Sequence, residues 1–120
     1  MPSYAPPTKD MMFVLQDVLE IGNANIPGYD ELDAEFVSSI LNESGKLAEN
    51  VLAPLNASGD AEGCHLENGV VSTPQGFKEA FVQVKAGGWP SLDCDPQYGG
   101  QGMPFVIASA VTEMFSSANM

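Results

Sequence analysis

Apolar residues recur at helical spacing along most of the chain. The longest such pattern follows the acids at Asp30 to Asp33, which suit a helix start. Its predicted core face repeats every three or four residues and comprises Phe36, Val37, Ile40, Leu47, Ala48 and Val51. An earlier helix is predicted from Met11 to Ile21, with Asp10 as its N-cap. Its apolar stripe comprises Met11, Leu15, Val18 and Leu19.

Prolines and glycines predict where these helices stop. Residues 1–9 are rich in proline and should be extended, and Pro54 should end the long helix before a turn at residues 56–60. Asn68-Gly69 is typical of a β-hairpin, which must lean on the helices because an isolated hairpin is marginal. Thr73 and Pro74 are expected to open the next helix, and Gly87-Gly88 to stop it.

The last helical pattern starts at Pro104 and runs to Met120 without a stop signal. One stripe comprises Ile107, Val111, Met114 and Ala118. A second comprises Met103, Val106, Ala110, Glu113 and Ser117. A helix that is apolar on several sides belongs inside something larger, so the chain reads as truncated within this helix. The whole pattern predicts a mainly α fold, a small domain of about four to five helices with one short β-hairpin.

The charge balance narrows the possible partners. Sixteen acids face four lysines, and the formal net charge is −12. Nucleic acids, anionic membranes and other phosphate-rich ligands all need clustered cations, so we expect no nucleic-acid partner and no phosphate-rich group held by this chain alone. The chain has no apolar run long enough for a membrane span and no signal-peptide pattern at its start, and we expect a cytoplasmic protein.

Few residues offer chemistry of their own. His65 is the only histidine, which leaves no nucleophile–base pair and no metal site to expect. Cys64 and Cys94 are expected to be free thiols. Gly99, Gly100 and Gly102 could cradle a phosphate, but they lack the spacing of a dinucleotide or P-loop motif, and a tight turn into the last helix explains them as well.

The combined motifs resemble the acyl-CoA dehydrogenase superfamily over essentially the whole chain. These motifs are Phe77-Lys78-Glu79-Ala80, Gly87-Gly88-Trp89-Pro90, and Asp95 to Pro104 with its Tyr-Gly-Gly-x-Gly loop. Further stretches resemble the bacterial long-form branch, including the 3-methylmercaptopropionyl-CoA dehydrogenase type. They are Tyr4-x-Pro6-Pro7 with Asp10-Met11-x-Phe13-Val14-Leu15, Leu52 to Asn56, Ser58 to Cys64, and Ser116 to Met120.

The resemblance implies the N-terminal helical domain, residues 10–120, of an FAD-dependent enzyme that oxidises an acyl-CoA thioester between its α and β carbons. The FAD-binding β-domain and the C-terminal helical domain would be absent. No catalytic residue and no bound cofactor are then expected in this chain, which would be inactive alone. The residues expected to line the acyl pocket are Met103, Val106, Ala110, Glu113, Met114 and Ser117. The residues expected at its entrance are Tyr98, Gly99, Gly100 and Gly102.

Partners follow from the same resemblance. The full-length protein would use an acyl-CoA substrate and an electron-transfer acceptor, and would form a homo-oligomer. The fragment should self-associate through exposed apolar helix faces, most of all through its last helix. The alternative hypothesis is a freestanding acidic helical module that binds or interacts with a partner.

Overall fold

The computed structural model describes residues 3–120, so the first two residues of the predicted extended segment lie outside the described residues. Its helices are α1 (Thr8–Met12), α2 (Ala34–Leu47), α3 (Pro54–Glu62), α4 (Phe77–Ala86) and α5 (Phe105–Ala118). Its strands are β1 (His65–Glu67) and β2 (Val70–Ser72). The prediction of a mainly helical fold with one hairpin is confirmed.

The hydrophobic core lies where α1, α2 and α5 meet. The first predicted stripe of α5 is buried as expected, with Ile107 and Met114 fully enclosed. They face α2, whose Val37 and Leu41 are also fully enclosed. Asp33 is the N-cap of α2, since its Oδ1 accepts a hydrogen bond of 2.8 Å from the Phe36 N–H. The predicted start of the long helix is therefore confirmed.

Two other helix starts differ from the prediction. The first helix begins at Thr8, and Asp10 lies in its first turn instead of at the N-cap. The fourth begins at Phe77, after a Gly76 with a φ of 88°, and not at the predicted Pro74. In both places a proline-containing turn precedes the helix, and the sequence signals for a cap and for a turn use the same residue types.

The helix that begins with α1 changes its pitch after Met12. Residues Phe13–Val18 are π-helical, and the Leu19 N–H donates to the Val14 carbonyl at 2.8 Å. A π turn holds more residues than an α turn, so the residues after it leave the stripe that faces the core. Val18 and Leu19 are 59% and 53% exposed. Placing them on the core stripe was wrong.

Pro54 was predicted to end the long helix, but the helical path continues through it. Residues Ala48–Leu52 form a second π-helical turn, closed by a 2.8 Å hydrogen bond from the Ala53 N–H to the Ala48 carbonyl. Pro54 then stands as the first residue of α3. Proline has no N–H and its ring needs room on the preceding turn, which the wider turn provides. The segment 56–60, predicted as a turn, is therefore helical.

The hairpin forms as predicted, but it does not lean on the helices. Its strands pair antiparallel with Leu66 opposite Val71, and Asn68 and Gly69 both have positive φ, as a tight two-residue hairpin turn requires. Leu66 and Val71 are nevertheless 72% and 63% exposed. The hairpin is held by its own hydrogen bonds and not by packing.

The last helix stops at Ala118, short of the predicted Met120. Asn119 is extended, and its Nδ2 donates to the Leu52 carbonyl at 2.9 Å. This bond ties the end of α5 to the π turn before α3. Within residues 3–120 no helix is both long and apolar enough to cross a bilayer.

The chain is more open than a closed domain of its length. Its radius of gyration is 16.5 Å, against about 14 Å for a compact chain of this size. Its accessible surface is 7952 Å², against about 6,200 Å² for a closed monomer of this mass. Exposed apolar side chains on the hairpin, on α4 and on the first helix contribute to this additional accessible surface.

Candidate functional site

The second stripe of α5 borders an open groove against the first helix, which we call the α1–α5 groove. Its volume is about 430 Å³. It is lined by Pro7, Asp10, Met11, Val14, Leu15, Val106, Ser109, Ala110 and Glu113. Of the two apolar residues that α5 contributes to this groove, Val106 and Ala110, the second has the smaller side chain. The surface of the helix is therefore indented at Ala110. The groove is large enough for a short apolar group.

The predicted pocket residues do not all meet in this groove. Val106, Ala110 and Glu113 line it together. Ser117 lines a different groove, and Met103 lies beyond the start of α5 beside Gly102. Met114 is fully buried and faces the core. Helical spacing predicted that these residues lie close together on or next to one helix. The packing of α1 and of the N-terminal segment against that helix separates them into different grooves.

The α1–α5 groove has an apolar floor and an acidic rim. Asp10 stands on one wall and Glu113 on the other, and both are exposed. Within residues 3–120 the one ion pair joins Lys46 to Glu43, so neither rim carboxylate is paired with a cation. Phosphate groups would be repelled from this rim, whereas an apolar group could lie on the floor.

Tyr4, which was named in a sequence motif but not predicted as a site residue, lies beside this helix. Burial raises the pKa of Tyr4 above its ordinary value of 10.0, and the negative charge of Glu113 raises that pKa further. The Tyr4 hydroxyl is enclosed and has no hydrogen-bond partner in the described part of the chain. Nearby, the ring of Pro6 lies against Gly45 of α2. The segment before α1 is thus packed onto the helices.

Tyr4 also lines a second groove of about 810 Å³, which we call the N-terminal groove. Its lining residues are Ser3, Tyr4, Glu49, Ala53, Pro54, Asn56, Ala57, Ser117 and Ala118. The groove is wide and open, and it joins the π turn before α3 to the end of α5. No signal in the sequence could have located it, because it depends on where the N-terminal segment lies.

The glycine loop is a closed turn and does not hold free donors for a phosphate. The N–H groups of Gly99, Gly100, Gln101 and Gly102 donate to carbonyls of the same loop, at 3.0 to 3.1 Å. Gly100 also lies so close to the Cys94 carbonyl that any side chain there would collide with it. Of the two interpretations of these glycines, the structure supports the tight turn.

Two contacts fix this loop to the core. Leu92 is 5% exposed, and its carbonyl accepts a 2.8 Å hydrogen bond from the Met103 N–H at the end of the loop. Trp89 meets Phe115 edge to face, with ring centroids 6.0 Å apart. Tyr98 points away and is 83% exposed. The loop therefore braces the start of α5 and leaves Tyr98 free to contact another group.

The remaining reactive side chains lie apart from these grooves. His65 is on the exposed strand β1, and Cys64 and Cys94 are free and exposed. Within residues 3–120, no three histidine, cysteine, aspartate or glutamate side chains come together as a metal site would require. The described residues thus offer grooves that could bind a ligand.

Comparison with known proteins shows two relatives over nearly the whole chain. The chain is 35% identical over 119 residues to a 3-methylmercaptopropionyl-CoA dehydrogenase of Ruegeria pomeroyi, covering 98% of this chain and 20% of that protein. It is 27% identical over 122 residues to a broad-specificity linear acyl-CoA dehydrogenase of Mycobacterium tuberculosis, covering 99% and 20%. No model of a protein family matches the chain. The chain spans about a fifth of the length of these curated relatives.

Proposed function

We propose, from the premise that this chain is homologous to acyl-CoA dehydrogenases over nearly its whole length, that it is the N-terminal domain of such an enzyme. The observation that carries the proposal is the 35% identity across 98% of the chain. The helical fold, with α5 at its core and open surface around it, supports a domain that packs against further domains.

In this proposal the full-length protein oxidises an acyl-CoA thioester, and this chain contributes scaffold and part of the acyl-pocket wall. Val106 and Ala110 would face the acyl group, with Glu113 at the rim, because they share one groove with an apolar floor. Met103 and Ser117 line separate grooves near the two ends of α5, so their contact with the acyl group stays a prediction. Met114 would not contact the acyl group, because its side chain is buried in the core, where it holds α5 in place.

FAD belongs to the proposed full-length enzyme, but the described residues do not fit a flavin site. The diphosphate of FAD needs cations or free backbone N–H groups. The glycine loop uses its own N–H groups internally, and the chain has only four lysines. We therefore assign no flavin contact and no catalytic base to this chain, and we expect it to be inactive alone.

Partners of the full-length enzyme are part of the same proposal. An acyl-CoA substrate and an electron acceptor would follow from the activity, and a cytoplasmic location would suit the free thiols of Cys64 and Cys94. Self-association of the fragment and oligomerisation of the full-length protein stay predictions. The first stripe of α5 packs into the core and is not available to a second copy. The exposed apolar side chains near this helix are those of Phe105 and Met120.

The test is a visible absorption spectrum of the full-length protein, purified and titrated with acyl-CoA thioesters of different chain length. A flavin spectrum that bleaches on addition of substrate is the expected result. The 120-residue chain serves as the control and should show neither flavin absorption nor bleaching. A full-length protein without flavin would contradict the proposal.

The second candidate is a freestanding acidic module that binds a partner. It is favoured by one observation, namely that the chain encloses core residues such as Val37, Leu41 and Ile107 without any other domain. A cooperative thermal unfolding transition of the isolated chain, together with a full-length protein that lacks flavin, would make this the better explanation.

A further inference from the structure

Four large apolar side chains on the first helix form a patch that no part of residues 3–120 covers. We call it the α1 patch, and it comprises Phe13, Val14, Val18 and Leu19. Their exposed fractions are 59%, 45%, 59% and 53%. The π-helical turn brings them together, because it stacks each residue near the one five positions later, as the hydrogen bond from Leu19 to Val14 shows.

The charged side chains around the α1 patch are acidic except for Lys9, which lies one helical turn before Phe13. Every charged side chain from Asp10 to Gly45 is acidic. Asp10 and Asp17 lie in the helical segment that runs from Thr8 to Val18, Glu20 follows that segment, and all three side chains are exposed. The one ion pair within residues 3–120, between Lys46 and Glu43, uses none of them. Exposed apolar side chains beside unpaired carboxylates are typical of a surface that meets a partner.

The charge also decides which occupant fits. A second copy of this chain would carry the same acids and a net charge of −12, so pairing two α1 patches would set carboxylates against carboxylates. Nucleic acids and anionic lipid surfaces are repelled for the same reason. A helix with an apolar stripe flanked by lysines or arginines complements both the patch and its rim.

We propose that the α1 patch is a docking surface for a basic amphipathic helix of another polypeptide. The stripe of that helix lies on Phe13, Val18 and Leu19, and its cations lie beside Asp17 and Glu20, all outside the α1–α5 groove. This inference goes beyond the proposed function, because it does not depend on flavin, on acyl-CoA or on the α5 side of the groove.

The test uses the 120-residue chain and a fluorescent synthetic 18-residue helix with a leucine stripe and flanking lysines. Anisotropy should show saturable binding that weakens at least fivefold in about 0.5 M salt, because salt screens charges beyond a few ångströms. A glutamate version of the peptide should not bind. A scrambled lysine peptide without the stripe should bind at least tenfold more weakly.

Two matched pairs of variants locate the site. Val18→Ser with Leu19→Ser should weaken binding at least tenfold, whereas Leu66→Ser with Val71→Ser, which removes similar exposed apolar surface from the hairpin, should leave it unchanged. Asp17→Asn with Glu20→Gln should weaken binding several-fold and flatten its salt dependence. Glu67→Gln with Glu79→Gln, two acids outside this segment, should change neither. Circular dichroism checks that each variant keeps its helices.

Three outcomes would overturn the inference. They are no binding of the lysine peptide, equal binding of the scrambled peptide, and equal weakening by the hairpin pair. Light scattering adds a fourth. If the wild-type chain is a dimer that Val18→Ser with Leu19→Ser converts to a monomer, the patch is covered by a second copy and the proposed occupant is wrong. None of these results bears on flavin or substrate, so the proposed function stands or falls separately.

Discussion

Two regions of the chain follow the same local rules but differ in what they bury. The core region, formed by α1, α2 and α5, encloses Val37, Leu41, Ile107 and Met114 completely. The arm, formed by β1, β2 and α4 (residues 65–86), has good turn and helix signals, yet both strands are exposed along their whole length. Within α4 only Ala80 is buried. The arm therefore rests on its own hydrogen bonds and on a few contacts with α3, whereas the core region also gains extensive burial.

The arm is joined to the rest of the chain through few side chains. The ring of Phe77 at the start of α4 lies directly on Gly59 of α3, and Leu55 lies against Gly76. The Glu62 carboxylate accepts a 3.0 Å hydrogen bond from the Gln75 N–H. The difference in burial indicates that most of the free energy of unfolding comes from the core region. Four substitutions test this comparison.

The largest effect is expected in the core region. Met114→Ala removes a fully enclosed side chain between α5 and α2 and should lower the free energy of unfolding by about 2–5 kcal/mol. The matched change in the arm is Val71→Ala, on a side chain that is 63% exposed, which should cost no more than about 0.5 kcal/mol. Urea unfolding followed by circular dichroism measures both. Equal losses would show that the two regions do not differ.

A smaller effect is expected where the arm meets the core region. In Gly59→Ala the new Cβ meets the ring of Phe77, which must move. Displacing a packed ring costs about 1–3 kcal/mol, and alanine returns about 1 kcal/mol of helix propensity, so a net loss of up to about 2 kcal/mol is expected. Gly22→Ala is the control, since nothing lies within 4 Å of its added Cβ. Identical thermal midpoints for the two variants would argue against this contact.

The cap of the longest helix should matter slightly less. Asp33→Ala removes the side chain that accepts the Phe36 N–H and should cost about 1 kcal/mol. Asp60→Ala, an exposed acid on α3 that caps nothing, should change the free energy of unfolding by no more than about 0.5 kcal/mol. Chemical denaturation of both variants gives the comparison. A larger loss in Asp60→Ala would mean that net charge, not capping, sets the result.

The smallest effect is a gain, and it depends on pH. Tyr4→Phe removes an enclosed hydroxyl without a partner and should stabilise the chain by about 0.5–1 kcal/mol near neutral pH. Because the pKa of Tyr4 is raised in the folded state, the unfolded chain loses this proton first. The wild-type stability should then fall as the pH rises from about 10 toward the folded pKa.

In Tyr4→Phe that part of the alkaline loss should disappear. Tyr98→Phe, on a ring that is 83% exposed, is the control and should keep the wild-type pH profile. Unfolding curves recorded between pH 8 and about 11.5 decide the matter. A Tyr4→Phe profile with the same alkaline slope as the wild type would show that the Tyr4 proton is not linked to folding.

Periodicity was sufficient for the core because a buried stripe must repeat every three or four residues. It identified Ile107, Val111, Met114 and Ala118 correctly, and the hairpin followed from Asn68-Gly69 alone. It failed at Val18 and Pro54, where a π turn shifts the register. A π turn is set by the packing of the whole helix and by what a proline requires nearby, and a fixed period of 3.6 cannot represent it.

The grooves were predictable only in part. Spacing placed Val106, Ala110 and Glu113 on one stripe of α5, and the family resemblance implied a pocket there. Neither could supply the opposite wall of the groove, which comprises Asp10, Met11 and Val14. That wall comes from another helix. Which residues of two helices meet depends on the angle at which the helices cross, and the sequence of one segment does not determine that angle. Tyr4 was missed as a groove residue for the same reason, since its role depends on where an extended segment lies.

The π turn at Ala48–Leu52 also decides the direction in which the arm leaves the core region. An α-helix turns about 100° for each residue, so one residue more or less in this turn rotates α3 by roughly that angle about its axis. Gly59, and with it Phe77, would swing to another side of the helix. Deleting a single residue here would therefore remove the room that the Pro54 ring uses as well as change the direction of the hairpin and α4, so the length of this turn sets the shape of the chain.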